Sequence, residues 1–190
     1  MILISDKGEA KMGNLIDEIK KIYLEKDYCS IRKTALSQEA ILREICEMIG
    51  REGRPYSFVG GSNPPAIELF IKMPFDDCAS DIKFSTHLMI SRMLGYYMIT
   101  HCFVQKNPVK NRIEPFLDGS SSEPYTMEQA QIEKKLMVIF GKSDYVRITN
   151  LQAQEVITEI EMPPNNFWGK QMTIETALFR DVFEVLPSLM

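Results

Sequence analysis

The stretch Ile82-Lys83-Phe84-Ser85-Thr86-His87-Leu88-Met89-Ile90 decides how this chain folds. Apolar residues fall at every second position through Ile82, Phe84, Leu88 and Ile90, with Lys83, Ser85, His87 and Ser91 between them. That period belongs to a half-buried strand, whose successive side chains point to opposite faces. The letters from Thr86 to Leu94 could also make a short helix ending at Gly95, but the alternation favours the strand. Tyr96–Gln105 follows, rich in aromatic and β-branched residues that suit a pleated surface. Together they predict a hairpin turning around Arg92–Gly95.

Upstream, Tyr56–Val59 and Ala66–Met73 read as strands joined by the turn formers Gly60-Gly61-Ser62-Asn63-Pro64-Pro65. Before them come two amphipathic helices. One covers 14–26, with Leu15, Ile16, Ile19, Ile22 and Tyr23 on one face. The other covers 38–51, with Ile41, Leu42, Ile45, Cys46 and Ile49 as its stripe and Ser37 as its N-cap. Each must bury one face, and the sheet is the surface available.

Downstream, Asn107–Asn111 is a turn, Arg112–Leu117 a short strand and Asp118–Tyr125 a polar loop. A helix over 127–140 is announced by Thr126 and Gln129, a capping-box pair, and by Ile132, Leu136 and Phe140 spaced by four. Tyr145–Thr149 and Val156–Met162 read as strands. In the second, Val156, Thr158, Ile160 and Met162 alternate with Ile157, Glu159 and Glu161, and Pro163-Pro164-Asn165-Asn166 breaks it. A last helix covers 174–186 behind Thr173. Strands and helices are segregated rather than interleaved, which predicts an α+β domain spanning 1–190: a mostly antiparallel sheet, two N-terminal helices, one mid-chain helix and one C-terminal helix.

The composition, 45% hydrophobic and 25% charged, excludes wholesale disorder. The net charge of −4 is uneven. Residues 1–54 and 55–150 are each balanced, while 151–190 set Glu155, Glu159, Glu161, Glu175, Asp181 and Glu184 against Lys170 and Arg180 alone. Such a chain lacks the basic footprint that nucleic acid requires. The longest aliphatic or aromatic run, Leu136–Phe140, is far too short for a membrane span. Cys29, Cys46, Cys78 and Cys102 form no C-x-x-C pair and no zinc spacing with the histidines, so reduced thiols and a cytoplasmic setting are expected. Lys7-Gly8-Glu9 can be encoded by a purine-rich stretch resembling a bacterial ribosome-binding site before Met12. Met12 is therefore a candidate native start, and 1–13 a candidate peripheral extension.

Several groups carry potential chemistry. His101-Cys102 is a nucleophile–base pair in sequence, but neighbours on a strand face opposite ways and cannot meet. The simpler reading is an apolar-face cysteine and a polar-face histidine. His87 could approach Cys102 across the hairpin, which makes these two the candidate catalytic pair of a small hydrolase. Asp76, Asp77 and Asp81 are candidate ligands for a hard cation, read more simply as turn and cap residues of a solvated loop. Asp118 with Glu133-Lys134-Lys135 matches a loose nuclease pattern, yet that pattern needs the Glu and Lys on a strand, and here they fall on a helix. No phosphate-binding loop, zinc-protease or nucleophile-elbow motif is present.

Phe167-Trp168, in a loop of turn formers, reads either as a pin holding that loop to the body or as an aromatic anchor for a partner. With Tyr97, Glu159 and Glu161 it defines the expected binding surface. The preferred function is therefore a non-enzymatic protein-binding module without a cofactor, its expected partner a protein, with a basic one suited to the acidic surface. By fold-level analogy alone, this suits a role like that of immunity proteins or effector chaperones. The alternative is the hydrolase just described. Self-association through a sheet edge or the Phe167-Trp168 loop is compatible with the first.

Overall fold

The computed structural model describes residues 7–27, 40–48, 56–58, 66–73, 82–109, 114–164, 166, 169–180 and 182, with backbone alone for 7–13 and 56–58. The predicted hairpin is its centre. Strands β3 (Ile82–Ser91) and β4 (Tyr96–Lys106) pair antiparallel from Ile82↔Gln105 to Ile90↔Tyr97. The helical alternative for 86–94 is not adopted. At the turn, the buried Ser91 hydroxyl accepts the amides of Met93 (3.2 Å) and Leu94 (3.3 Å). It donates to the Leu178 carbonyl at 2.8 Å, fastening the hairpin to the last helix.

Around this hairpin lie β1 (Tyr56–Phe58), β2 (Ala66–Lys72), β5 (Phe116–Ser121) and β6 (Val146–Ile148). The order is β1-β2-β3-β4-β5, antiparallel throughout. The free edge of β4 is shared: its first residues pair in parallel with β6, and residues 101–106 pair with β5. A separate two-stranded sheet joins β7 (Val156–Glu161) to β8 (Gln171–Thr173). The fold is α+β with a mostly antiparallel sheet.

Alternation gives the sheet two buried faces. On one, Ile67, Leu69, Ile71, Leu88, Ile90, Tyr97 and Ile99 meet Ile41 and Ile45 of α2 (40–48) and Ile132, Leu136, Ile139 and Phe140 of α3 (Met127–Phe140). On the other, Ala66, Met89, Tyr96 and Met98 meet Leu15, Ile19 and Ile22 of α1 (Lys7–Tyr23), α5 (Ile174–Phe179) and the β7–β8 pair. The two N-terminal helices thus lie on opposite faces. The Tyr23 hydroxyl, donating to the Ala177 carbonyl at 2.7 Å, links α1 to α5. The one-turn helix α4 (Asn150–Ala153) connects β6 to β7.

The mid-chain helix runs Met127–Phe140, as its capping box predicts. The Thr126 side chain accepts the Gln129 amide, and the Gln129 side chain accepts the Thr126 amide. Gln129 also reaches the sheet, its side-chain amide donating to the carbonyls of Ser85 (2.8 Å) and Cys102 (3.2 Å). One buried side chain therefore starts the helix and docks it.

Four expectations are corrected. The strand expected at 112–117 lies at Phe116–Ser121, so Asp118-Gly119-Ser120-Ser121 is strand rather than loop. Its pairing to β4 fixes it without a buried face, which is why its letters are polar. Strand β7 does not alternate strictly: a register irregularity between Val156 and Glu161 brings Ile157 and Ile160 both to the core. The first helix begins at Lys7 and ends at Tyr23 rather than covering 14–26. Lastly, α4 and β8 were not anticipated. Of the expected final helix, Ile174–Phe179 is described as α5. No helix among the described residues is long and apolar enough to cross a membrane.

Candidate functional site

Beyond the end of α5, the described residues on its face of the sheet include a polar group. There β3 presents His87, β4 presents Thr100 and Cys102, and β5 presents Ser120, all on one face by register. Asn150, Gln154, Glu175 and Arg180 close the other side, and Met89 and Met98 reach the cleft from the core beneath it. The volume of this half-open cleft is about 330 Å³.

His87, Glu68 and Arg180 are engaged with one another at this cleft. The His87 ring stacks on Phe70, with centroids 4.1 Å apart and planes 5° from parallel. Its Nε2 donates to Glu68 Oε2 at 3.3 Å, while Arg180, the C-cap of α5, donates to the other oxygen of Glu68. The hydrogen bond from His87, aided by the Arg180 charge, outweighs burial and holds the Glu68 carboxyl below its ordinary range. Gln154 Nε2 donates to Glu175 Oε2 at 2.9 Å, and the Thr100 hydroxyl donates to Asn150 Oδ1 at 3.3 Å.

His87 and Cys102 therefore do share a cleft, as the hairpin allows. They are not a primed nucleophile and base. Burial pushes the Cys102 thiol up, and the Asp118 carboxylate pushes it further the same way. A thiolate needs the opposite environment. His87, for its part, has Nε2 committed to Glu68.

The roles expected of His101 and Cys102 are reversed. His101 is the fully buried member, beneath α3, and Cys102 the partly exposed one. His101 Nε2 donates to Glu133 Oε2 at 3.1 Å, which leaves Nδ1 to accept the Thr86 hydroxyl at 3.1 Å. Arg147 donates to the second oxygen of Glu133. A hydroxyl, an imidazole and a carboxylate thus stand in line, but Thr86 is itself fully buried, so no substrate reaches its oxygen. The row ties β3, β4, α3 and β6 together. Glu133, engaged in it from a helix, is not the metal ligand of a nuclease pattern.

Of the residues expected to bind a partner, Tyr97 is 4% exposed and stacked on Phe140 with ring centroids 3.7 Å apart, which places it in the core. Glu159 and Glu161 are exposed. Glu159 pairs with Lys20 of α1 at 2.8 Å, which lowers its carboxyl pKa. Phe167, Trp168, Asp76, Asp77 and Asp81 lie outside the described residues, as do Cys29 and Cys78, whereas Cys46 and Cys102 are free thiols.

A second feature went unanticipated. Strand β5 pairs only with β4, so its outer backbone edge has no partner strand among the described residues. Phe116 is 59% exposed and Leu117 45%, one on each face. Tyr125 and Met127 are exposed close behind in sequence. Residues 114–128 also contain Glu114, Asp118, Glu123 and Glu128 and no lysine or arginine. That composition was readable beforehand, but its meaning depends on 116–121 being strand. A scan against protein-family models and searches of the curated proteins and of the solved structures found no match to this chain.

Proposed function

We propose that the chain is a non-enzymatic protein-binding module that receives an extended, basic segment of a partner along the open edge of β5. The observation that carries this is the presence of exposed Phe116 and Leu117 on a strand edge that has no partner among the described residues, in a stretch holding four carboxylates and no cation. An edge strand offers a row of amides and carbonyls to an added strand, while side chains on alternate faces give selectivity. Opposite charge then speeds and selects the encounter. A second copy is a poorer occupant, since it would bring the same carboxylates against themselves.

The test is a titration of the isotope-labelled protein with a peptide of alternating lysine and valine, beside its glutamate–valine counterpart. Amide shift changes and new exchange protection confined to 116–121, for the basic peptide only, support the reading. Equal response to both peptides, or changes elsewhere, sink it. Leu117→Lys, on an exposed position, should abolish the response without altering the melting curve.

A thiol hydrolase using Cys102 and His87 is the second reading, favoured by their common cleft. The raised thiol and the engagement of His87 with Glu68 weigh against it.

A further inference from the structure

We infer that the cleft above Met89 and Met98 is a binding site for a planar nitrogen heterocycle of nucleobase size. Three observations lead there. The cleft, at about 330 Å³, lies at the small end of ligand sites, which run from about 300 to 1,000 Å³. Arg180 and His87 are engaged with Glu68, while the Glu175 carboxylate accepts from the neutral Gln154 amide. An anion would have to compete with Glu68 for Arg180 and would lie beside the Glu175 carboxylate. Three further groups are neutral: the side-chain NH2 of Asn150, the side-chain oxygen of Gln154 and the hydroxyl of Ser120. None of these atoms has a protein partner among the described residues.

Those atoms are two donors and an acceptor, the pattern that reads the edge of a ring carrying both ring nitrogens and carbonyl oxygens. The thioethers of Met89 and Met98, a cross-strand pair, supply a polarisable floor. Sulfur packs favourably against flat unsaturated rings and gains little from a sugar or an ion. The His87 imidazole, held flat by Phe70, adds a second planar surface to the same cleft. The site is independent of the β5 edge and holds whether or not a protein binds there.

The experiment is ligand-observed saturation-transfer NMR with uracil, cytosine, adenine and hypoxanthine at millimolar concentration, with glycine and acetate as charged comparators. It is run on the wild type and on Asn150→Leu and Gln154→Leu. At least one base should bind the wild type, and each variant should bind it roughly tenfold more weakly, the worth of one hydrogen bond to a neutral group. Asn150 also accepts from Thr100, so Ser120→Ala, on the outer strand, is the variant to use if Asn150→Leu does not fold. No binding by any base overturns the inference. So does binding that all variants retain, or binding of glycine or acetate in preference to the bases.

Discussion

His101 Nε2 and Glu133 Oε2 stand 3.1 Å apart across the contact between β4 and α3, with the histidine wholly out of water. Glu133 is also the acceptor for Arg147 of β6, so one carboxylate joins the helix to two strands. Replacing it leaves a buried imidazole N–H without an acceptor, a loss of about 1–3 kcal/mol. Glu133→Ala should lower the urea midpoint accordingly. Glu133→Gln, which keeps an oxygen for His101 and loses only the ion pair, should recover part of the difference. Equal stability of the wild type and Glu133→Ala would show that the row contributes nothing.

The same histidine makes stability depend on pH. Burial pushes the His101 pKa below its ordinary value, and the nearby Glu133 carboxylate only partly opposes this. The folded state therefore holds this proton less tightly than the unfolded chain does. His101's contribution is fully present above the unfolded imidazole value of about 6.5 and is lost as pH falls through the lowered folded value. Glu68, also lowered, loses its contribution in the more acidic carboxylate range, so the two windows separate. Urea titrations between about pH 7.5 and about pH 5.5, a span covering the ordinary imidazole range, should show falling stability in the wild type and a flatter profile in His101→Gln. A flat wild-type profile would contradict the burial argument.

What was legible in the sequence followed from local rules backed by burial. The β3–β4 hairpin was readable because both strands have a covered face and so alternate. Helix α3 was readable to its ends because Thr126 and Gln129 form a reciprocal cap that needs no tertiary information. The same signature, Thr149 with Gln152, marks α4 and could have been found. Strand β5 was not readable, since backbone pairing to β4 defines it and none of its residues is fully buried. Ile157 and Ile160 misled for a related reason: a register irregularity breaks the period on which alternation rests. At the site, the parity of the hairpin put His87 and Cys102 on one face. Parity alone does not say which face a helix covers, so His101 and Cys102 exchanged their expected roles. The carboxylate that engages His87 comes from β2, a non-local partner that no spacing reveals.

Cys102 should react slowly. Its thiol is pushed up by burial and by Asp118, so at neutral pH it holds less thiolate than free cysteine. Alkylation by iodoacetamide, followed by mass spectrometry of the Cys102 peptide, should be slower than that of free cysteine at the same pH. Asp118→Asn should speed it, by removing the nearby negative charge. Reaction faster than free cysteine would revive the hydrolase reading and count against a purely binding role.

Gly119 is required by a ring rather than by the backbone. A Cβ there would lie 2.5 Å from Cε1 and 2.9 Å from Cζ of Phe103, its cross-strand partner. The phenyl group therefore rests on the glycine, with its ring edge-on to Tyr125 at 5.2 Å and 85°. Its φ lies outside the left-handed region, so alanine is not penalised by the backbone itself. Gly119→Ala should displace the Phe103 ring, disturb the Tyr125 contact and cost about 1 kcal/mol, the scale of an aromatic pair. In a Phe103→Ala background the obstacle is gone, and Gly119→Ala should become neutral or stabilise by about 0.4–1 kcal/mol through the stiffer unfolded chain. A double-mutant cycle in urea measures both legs. A change of sign between the two backgrounds would identify the ring as the cause, whereas the same loss in each would place the cost elsewhere on the strand.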